Sequence, residues 1–288
     1  MKEYGMYRIN KVLNHNAVVA VDEEGTNEYL LIGRGIGFGK KISERVETGP
    51  EVNIYSLKPA SERGDAREIV RHVNPECLEL AGEILDEAQK HVGKLDREAI
   101  FPLADHLEYA IRRTKKGESI SNPLTPDIQT IFYVEYKVAM CAYPLIRKRF
   151  DLEISEDEIG FIALHIHSAI MDEKVSDALQ TAEIVRECVE KIEELTGTRM
   201  EIMSLGYNRM MNHIRYMVKR IHTGEKLKMN LNDYMKLHYP EAFEIAGQVC
   251  EDMSRKLKCS LPDAESGYLA MHIQRVTGPD DEGDGMTE

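Results

Sequence analysis

The chain has no apolar run approaching the roughly 20 residues that a membrane span requires, which argues against a helical membrane protein. Its first residues, Met1 to Met6, lack the apolar core of a secretion signal, so a cytoplasmic location is expected. Cysteine is sparse: Cys77, Cys141, Cys188, Cys250 and Cys259 are odd in number, scattered, and absent from the first 76 positions. That is the pattern of reduced thiols and excludes a disulfide framework or a zinc finger. A surplus of basic charge is missing too. Net charge is −13, yet residues 1–60 balance eight Lys/Arg against eight Asp/Glu, so the remaining 29 basic and 42 acidic residues carry the whole excess. An acidic body argues against wrapping nucleic acid along its full length. It leaves room for a small neutral N-terminal module that binds nucleic acid locally.

What is present is a repeat. The stretch from Glu158 through His165 to His167 returns 107 positions later, from Glu265 through His272 to Gln274, with glutamate, glycine, alanine, histidine and the following isoleucine identical. Fifty-nine residues before each of these histidines stands another, His106 and then His213, followed by Arg112-Arg113 and Lys219-Arg220. Gly117 answers Gly224, and Ala139 answers Ala246. One histidine interval kept twice among only ten histidines marks residues from about 70 to 277 as a duplicated domain. At 288 residues the chain has room for two or three domains.

Taken in order, residues 6–60 read as short strands: Tyr7–Leu13, Ala17–Val21, Asn27–Ile32 and Val52–Leu57, with turn chemistry at Asp22–Gly25. Four glycines between Gly33 and Gly39 exclude a helix interior and suit a sharp bend or a close backbone approach. A sheet of about 55 residues is marginal alone, so dimerisation would help it. Lys58–Asp65 breaks the pattern as a linker. From Ala66 onward the period is helical. The helix through His106 places Leu103, Leu107 and Ala110 on one face. Asn122–Pro126 interrupts, one long helix is expected from Tyr133 to about Arg149, and Ser155–Glu158 is a capping box opening the helix of His165. In the second copy Pro240 starts the long helix and Pro262–Glu265 opens the last. Residues 280–288 form an acidic tail of disordered composition. The expected fold is therefore multidomain α+β: a small antiparallel sheet domain (1–60), a linker (61–70), two duplicated all-α bundles (71–174 and 175–279), and the tail.

A single histidine on a half-apolar helix is more often structural than functional, and His15, His72, His91, His222 and His238, which have no counterpart, keep that reading. The recurring pairs invite two chemistries. In metal ligation, Asp105-His106 with His165 and His167 superficially matches the His-Asp signature of metal-dependent phosphohydrolases. The second copy spoils it, with Asn212 for Asp105 and Gln274 for His167. In phosphoryl acceptance, a neutral imidazole is a good nucleophile and phosphorylation installs a charge that a neighbouring arginine can recruit. The second needs no catalytic machinery in the chain, and no metal or other cofactor. A DNA-binding regulator would need a basic recognition helix, and residues 1–60 read as strands instead.

Ile9–Asn16 together with Ile32–Lys41 resembles the co-antiterminator RNA-binding domain of the BglG/LicT/SacY transcriptional antiterminators. The duplicated helical region resembles the two phosphotransferase-regulation domains that follow it there. The resemblance covers residues 6–277 in the family's domain order, and the Gly35–Lys41 run with His165-Ile-His167 is most similar to the glucose-type subgroup. It implies a symmetric dimer that binds a hairpin in the leader of a nascent mRNA and so prevents a terminator from forming. By position in the motif, Lys11, Asn14, Asn16, Gly33, Arg34, Gly35 and Phe38 would contact RNA. Phe38 could equally be a core residue of the sheet, and His15 stands where many members have asparagine. It also implies that His106, His165, His213 and His272 receive phosphate from the phosphocarrier protein and a sugar permease of the phosphotransferase system. His167 is a further candidate without a partner in the second copy. The resemblance implies a regulator, not an enzyme, with RNA, phosphoryl donors and a second copy of itself as partners, and neither DNA nor membrane.

Overall fold

The computed structural model describes residues 4–57, 65–201 and 204–278. The chain divides into two compact units, residues 1–178 and residues 179–288.

The first unit opens with five antiparallel strands, β1 (Met6–Val12), β2 (Ala17–Val21), β3 (Glu28–Ile32), β4 (Arg45–Glu47) and β5 (Asn53–Ser56), in the spatial order β4-β1-β2-β3-β5. Four of these match the expected strands. β4, three residues long, pairs with β1 at the edge and is too short to carry a periodic signal. One face of the sheet closes on its own core of Tyr7, Ile9, Val18, Ala20, Leu31, Ile36, Val46 and Val52. The other face meets helices: Tyr55 lies edge-on to Phe101 at 6.3 Å, and its hydroxyl accepts a 2.9 Å hydrogen bond from Arg97. A small sheet that could not bury both faces alone thus uses the first helical module as its second cover.

That module comprises α1 (Ala66–His72), α2 (Pro75–Val92), α3 (Ile100–Lys115), α4 (Thr125–Ile131), α5 (Tyr133–Ala139), α6 (Ala142–Phe150) and α7 (Glu156–Met171). Asn74 caps α2, its side chain accepting from the Glu76 amide, with Pro75 in the first turn, where it costs no hydrogen bond. Leu103, Leu107 and Ala110 of α3 are fully buried, as their spacing predicts. The long helix expected from Tyr133 to Arg149 is instead α5 and α6. Pro144 has no amide hydrogen for the carbonyl of Met140, four residues back, and the helix breaks there. The second copy has Glu251 at the equivalent position, and its helix runs unbroken.

The second unit holds most of α8 (Val175–Thr196), then α9 (Leu205–Thr223), α10 (Asn232–His238), α11 (Pro240–Leu257) and α12 (Ala264–Thr277). The repeat extends to backbone detail. Phe132 (φ −114°, ψ 47°) separates α4 from α5, and Tyr239 (φ −139°, ψ 61°), its equivalent, separates α10 from α11. Gly117 and Gly224 follow α3 and α9 at φ 73° and 71°, a left-handed conformation that a side chain would strain. All five cysteines are free thiols. No helix among the described residues is long and apolar enough to cross a membrane. Residues 58–64 and the acidic tail lie outside the described residues, and the second half of the 61–70 linker is taken up by the cap and first turns of α1.

Candidate functional site

Each helical module builds the same four-residue constellation from two helices. On α3, His106 and Arg113 are seven residues apart, two turns along one face; on α7, Glu158 and His165 share that spacing. Where the helices meet, the His106 and His165 rings stand 5.2 Å apart. Arg113 donates to Glu158 Oε1 from Nη2 at 2.8 Å and from Nε at 3.3 Å. The other carboxylate oxygen, Oε2, lies 3.2 Å from His106 Nε2, off the hydrogen-bonding direction.

In the second copy α9 supplies His213 and Arg220, and α12 supplies Glu265 and His272. The His213 and His272 rings are 4.7 Å apart, and Arg220 grips Glu265 through two bonds of 2.8 and 2.7 Å. His213 Nε2 is 3.8 Å from Glu265 Oε2, beyond hydrogen-bond reach. Even the aromatic neighbour recurs: Phe161 sits 5.7 Å from His106, and Tyr268 stacks 6.0 Å from His213.

Both glutamates are almost fully buried, with 3% and 1% of their surface exposed. Burial pushes the Glu158 carboxyl upward, but the charge of nearby His106 and the hydrogen bonds and charge of Arg113 outweigh it and hold it below the ordinary carboxylate value. The imidazoles are driven the other way. Burial, then the charge of His106, hold His165 well below an ordinary histidine. Burial, then His272 and Arg220, bring His213 down to about 3; burial, then Arg275 and Arg209, bring His272 to about 4. These three rings are therefore neutral at physiological pH, the state in which an imidazole nitrogen is a nucleophile.

Access completes the chemistry. An open cleft of about 790 Å³ in the first unit is lined by His106, His165, Arg113, Tyr109, Lys174 and His72. His72, read as structural from sequence, faces the same cleft. His167, the unpartnered candidate, turns away from it. Its Nδ1 lies 2.8 Å from Glu135 and its Nε2 3.4 Å from Glu173, with Phe132 4.2 Å from its ring. Burial disfavours its charge, but the two carboxylates prevail and raise its pKa, so the ring is held between them in a structural contact.

The arginine and the glutamate are visible in the sequence as recurring residues, but the sequence does not assign them to the site. Both recur with the histidines, but Glu158 reads as the last residue of a capping box. Ser155 does accept from the Glu158 amide at 3.3 Å, while the Glu158 carboxylate leaves the cap for the site. Among the described residues no group of three or more His, Cys, Asp or Glu could hold a metal ion.

The second candidate surface is on the sheet. Leu13–Asn16, joining β1 to β2, packs against the glycine-rich Gly33–Gly39 segment. The Gly35 amide donates to Asn16 Oδ1 at 2.9 Å and the Gly37 amide to the His15 carbonyl at 2.9 Å. A β-carbon on Gly37 would stand 2.2 Å from the Asn14 carbonyl, so only glycine lets the two loops close. Ile36 anchors the segment in the sheet core. Phe38 is 69% exposed, which removes the core reading; its ring meets His15 edge-on at 5.3 Å. The structure thus brings Asn14, Asn16, Gly33, Gly35 and Phe38 together, and leaves Lys11 and Arg34 exposed. The amide nitrogens of Asn14 and Asn16 already have a partner. Both oxygens of Glu79, on α2, accept from them, at 2.6 Å and 3.0 Å.

A sheet domain with a glycine-rich loop, followed by two helical modules with paired imidazoles, defines a class of nucleic-acid-binding regulators. The CAT RNA binding domain model matches residues 7–63, and the PRD domain model matches twice, at residues 79–169 and 183–276. The chain belongs to the family of PRD-containing transcriptional antiterminators. It is 30% identical over 277 residues to the GlcA/glcB genes antiterminator of Staphylococcus carnosus, covering 94% of this chain and 96% of that one. It is also 30% identical over 276 residues to the PtsGHI operon antiterminator of Bacillus subtilis, covering 95% and 98%. Among solved structures it resembles the crystal structure of GlcT CAT-PRDI, at 30% identity and a TM-score of 0.50, over 58% of this chain and 99% of that one. These relatives are regulators, not enzymes, and the phosphohydrolase alternative finds no support among them.

Proposed function

We propose that this chain is a transcriptional antiterminator of a sugar operon whose RNA binding is set by histidine phosphorylation. As a symmetric dimer in the cytoplasm, its sheet domain binds a hairpin in the leader of a nascent mRNA, and the terminator that overlaps the hairpin cannot form. Lys11 and Arg34 meet phosphate or guanine, Asn14 and Asn16 meet base edges, the loop glycines admit the RNA backbone, and Phe38 offers a stacking face. His106 and His165 in the first helical domain, and His213 and His272 in the second, receive phosphate from the phosphocarrier protein and the sugar permease. We place the sheet domain at residues 1–60 and the helical domains at 71–174 and 175–279.

One observation carries this reading: the same two imidazoles, arginine and buried glutamate are assembled twice, on a two-helix frame, while the surrounding sequences diverge. A structural histidine pair has no reason to keep both its arginine and its buried carboxylate in both copies. Phosphate added there changes local charge by about −1.5 to −2, enough to rearrange an interface in an acidic protein. The test is binding of the full chain to a leader hairpin. Arg34→Ala is expected to weaken it by about 1–3 kcal/mol, roughly five- to 150-fold; undiminished binding refutes the role of Arg34.

A further inference from the structure

The reading of His106 and His213 as phosphate acceptors leaves open which ring nitrogen takes the group, and the inference below rests on that reading. Nε2 of His106 is sealed from solvent and faces Glu158 Oε2 at 3.2 Å. Nε2 of His213 is sealed as well and faces Glu265 Oε2 at 3.8 Å. A phosphoryl group on either Nε2 would press its anionic oxygens against a buried carboxylate that an arginine already holds. His106 lines the open cleft, so the nitrogen left for a donor is Nδ1.

We propose that Glu158 is a positioning residue: its carboxylate, 3.2 Å from His106 Nε2, favours the ring form with the proton on that nitrogen, and phosphate is accepted at Nδ1; Glu265 faces His213 Nε2 in the same sense at 3.8 Å. The Nδ1 lone pair attacks the phosphorus of a protein phosphohistidine or phosphocysteine. The donor's P–N or P–S bond breaks with its electron pair staying on the donor. The donor leaves as a neutral imidazole, its second nitrogen already protonated, or as a thiolate. The acceptor ring keeps its Nε2 proton and becomes an imidazolium, whose charge the facing carboxylate offsets, as the aspartate does in a serine-protease triad. Arg113 and Arg220 hold that carboxylate in place through two hydrogen bonds each.

The partner ring provides an internal contrast. In His165 it is Nδ1 that is sealed without a hydrogen bond, so Nε2 is the nitrogen free to accept. One cleft then yields two isomers of phosphohistidine, Nδ1 at His106 and Nε2 at His165.

The experiment uses the full chain, phosphorylated separately by the phosphorylated carrier protein and by the phosphorylated cytosolic part of a sugar permease. Site-resolved mass spectrometry is combined with antibodies selective for each phosphohistidine isomer. At His106 the Nδ1 product is expected in excess by about tenfold or more. An Nε2 product there overturns this inference and leaves the acceptor reading standing. Absence of phosphate on His106 with both donors overturns both. Glu158→Ala, checked for native helix content, is expected to lose the isomer preference, whereas Glu158→Gln, which keeps an acceptor oxygen, retains it. An unchanged isomer ratio in the folded Ala variant reduces Glu158 to a structural role. Should that variant fail to fold, the wild-type isomer and the Gln variant decide the matter.

Discussion

RNA that takes the amide donors of Asn14 and Asn16 has to displace Glu79, and Glu79→Ala measures what that displacement costs. Glu79 joins the sheet to α2 through two hydrogen bonds, 2.6 and 3.0 Å, from neutral amides to one carboxylate. Bonds to a charged group can contribute about 1.5–3 kcal/mol each, but all three residues are half-exposed, so about 1 kcal/mol each is the fair figure. Losing both weakens the closed arrangement by about 2 kcal/mol, a factor of roughly 30. How much reaches the RNA depends on populations, because the apparent Kd is the intrinsic value divided by the open fraction. If the closed form dominates, affinity rises by nearly the full factor; at equal populations it can rise at most about twofold. The assay is fluorescence anisotropy of a labelled hairpin with the full chain at fixed salt, since any removed negative charge favours RNA. Glu76→Gln, exposed on the same helix, controls for that effect. Affinity no greater than that of the Glu76 variant refutes the idea that Glu79 occupies the RNA surface.

Other outcomes follow from the same geometry. Phe38→Ala should cost about 1–3 kcal/mol of RNA binding if a base stacks there, yet leave the thermal midpoint unchanged because the ring is 69% exposed. In an NMR titration, His213 should stay neutral from pH 8 down to pH 5, with its midpoint near 3; a midpoint between 6 and 7 contradicts the buried site. Since its folded pKa lies below the unfolded value of about 6.5, His213 costs stability as pH falls below 6.5, by up to about 1.4 kcal/mol per unit. His213→Gln should flatten that slope in urea titrations between pH 6.5 and 5. If phosphorylation of His106 by the sugar permease lowers RNA affinity, His106→Ala should keep its affinity after exposure to the phosphorylated permease; an undiminished loss would place the responsive site elsewhere.

The repeat was legible because it preserves spacing, and spacing on a helix is geometry: seven residues put His106 over Arg113, and Glu158 over His165. Four strands were legible from alternation and turn residues. What escaped notice was set by tertiary contacts. The three-residue β4 exists through its pairing with β1. The kink before Pro144 was readable in principle, because the proline was in plain view and only the helical period around it concealed the break. The Glu158 side chain obeys two local rules at once, a cap signal and an ion pair, and only the meeting of α3 with α7 shows that the pair takes it. Glu79 bonds to residues 63 and 65 positions away, a separation at which no periodicity speaks.

The most direct test of the whole account is the affinity of the full chain for a leader hairpin before and after phosphorylation, with the occupied histidines mapped in the same samples. Phosphate confined to His106, His165, His213 and His272, with affinity changing as each becomes occupied, is the predicted result. Phosphate on those histidines with no change in RNA affinity, or affinity that changes while they stay unmodified, would contradict it.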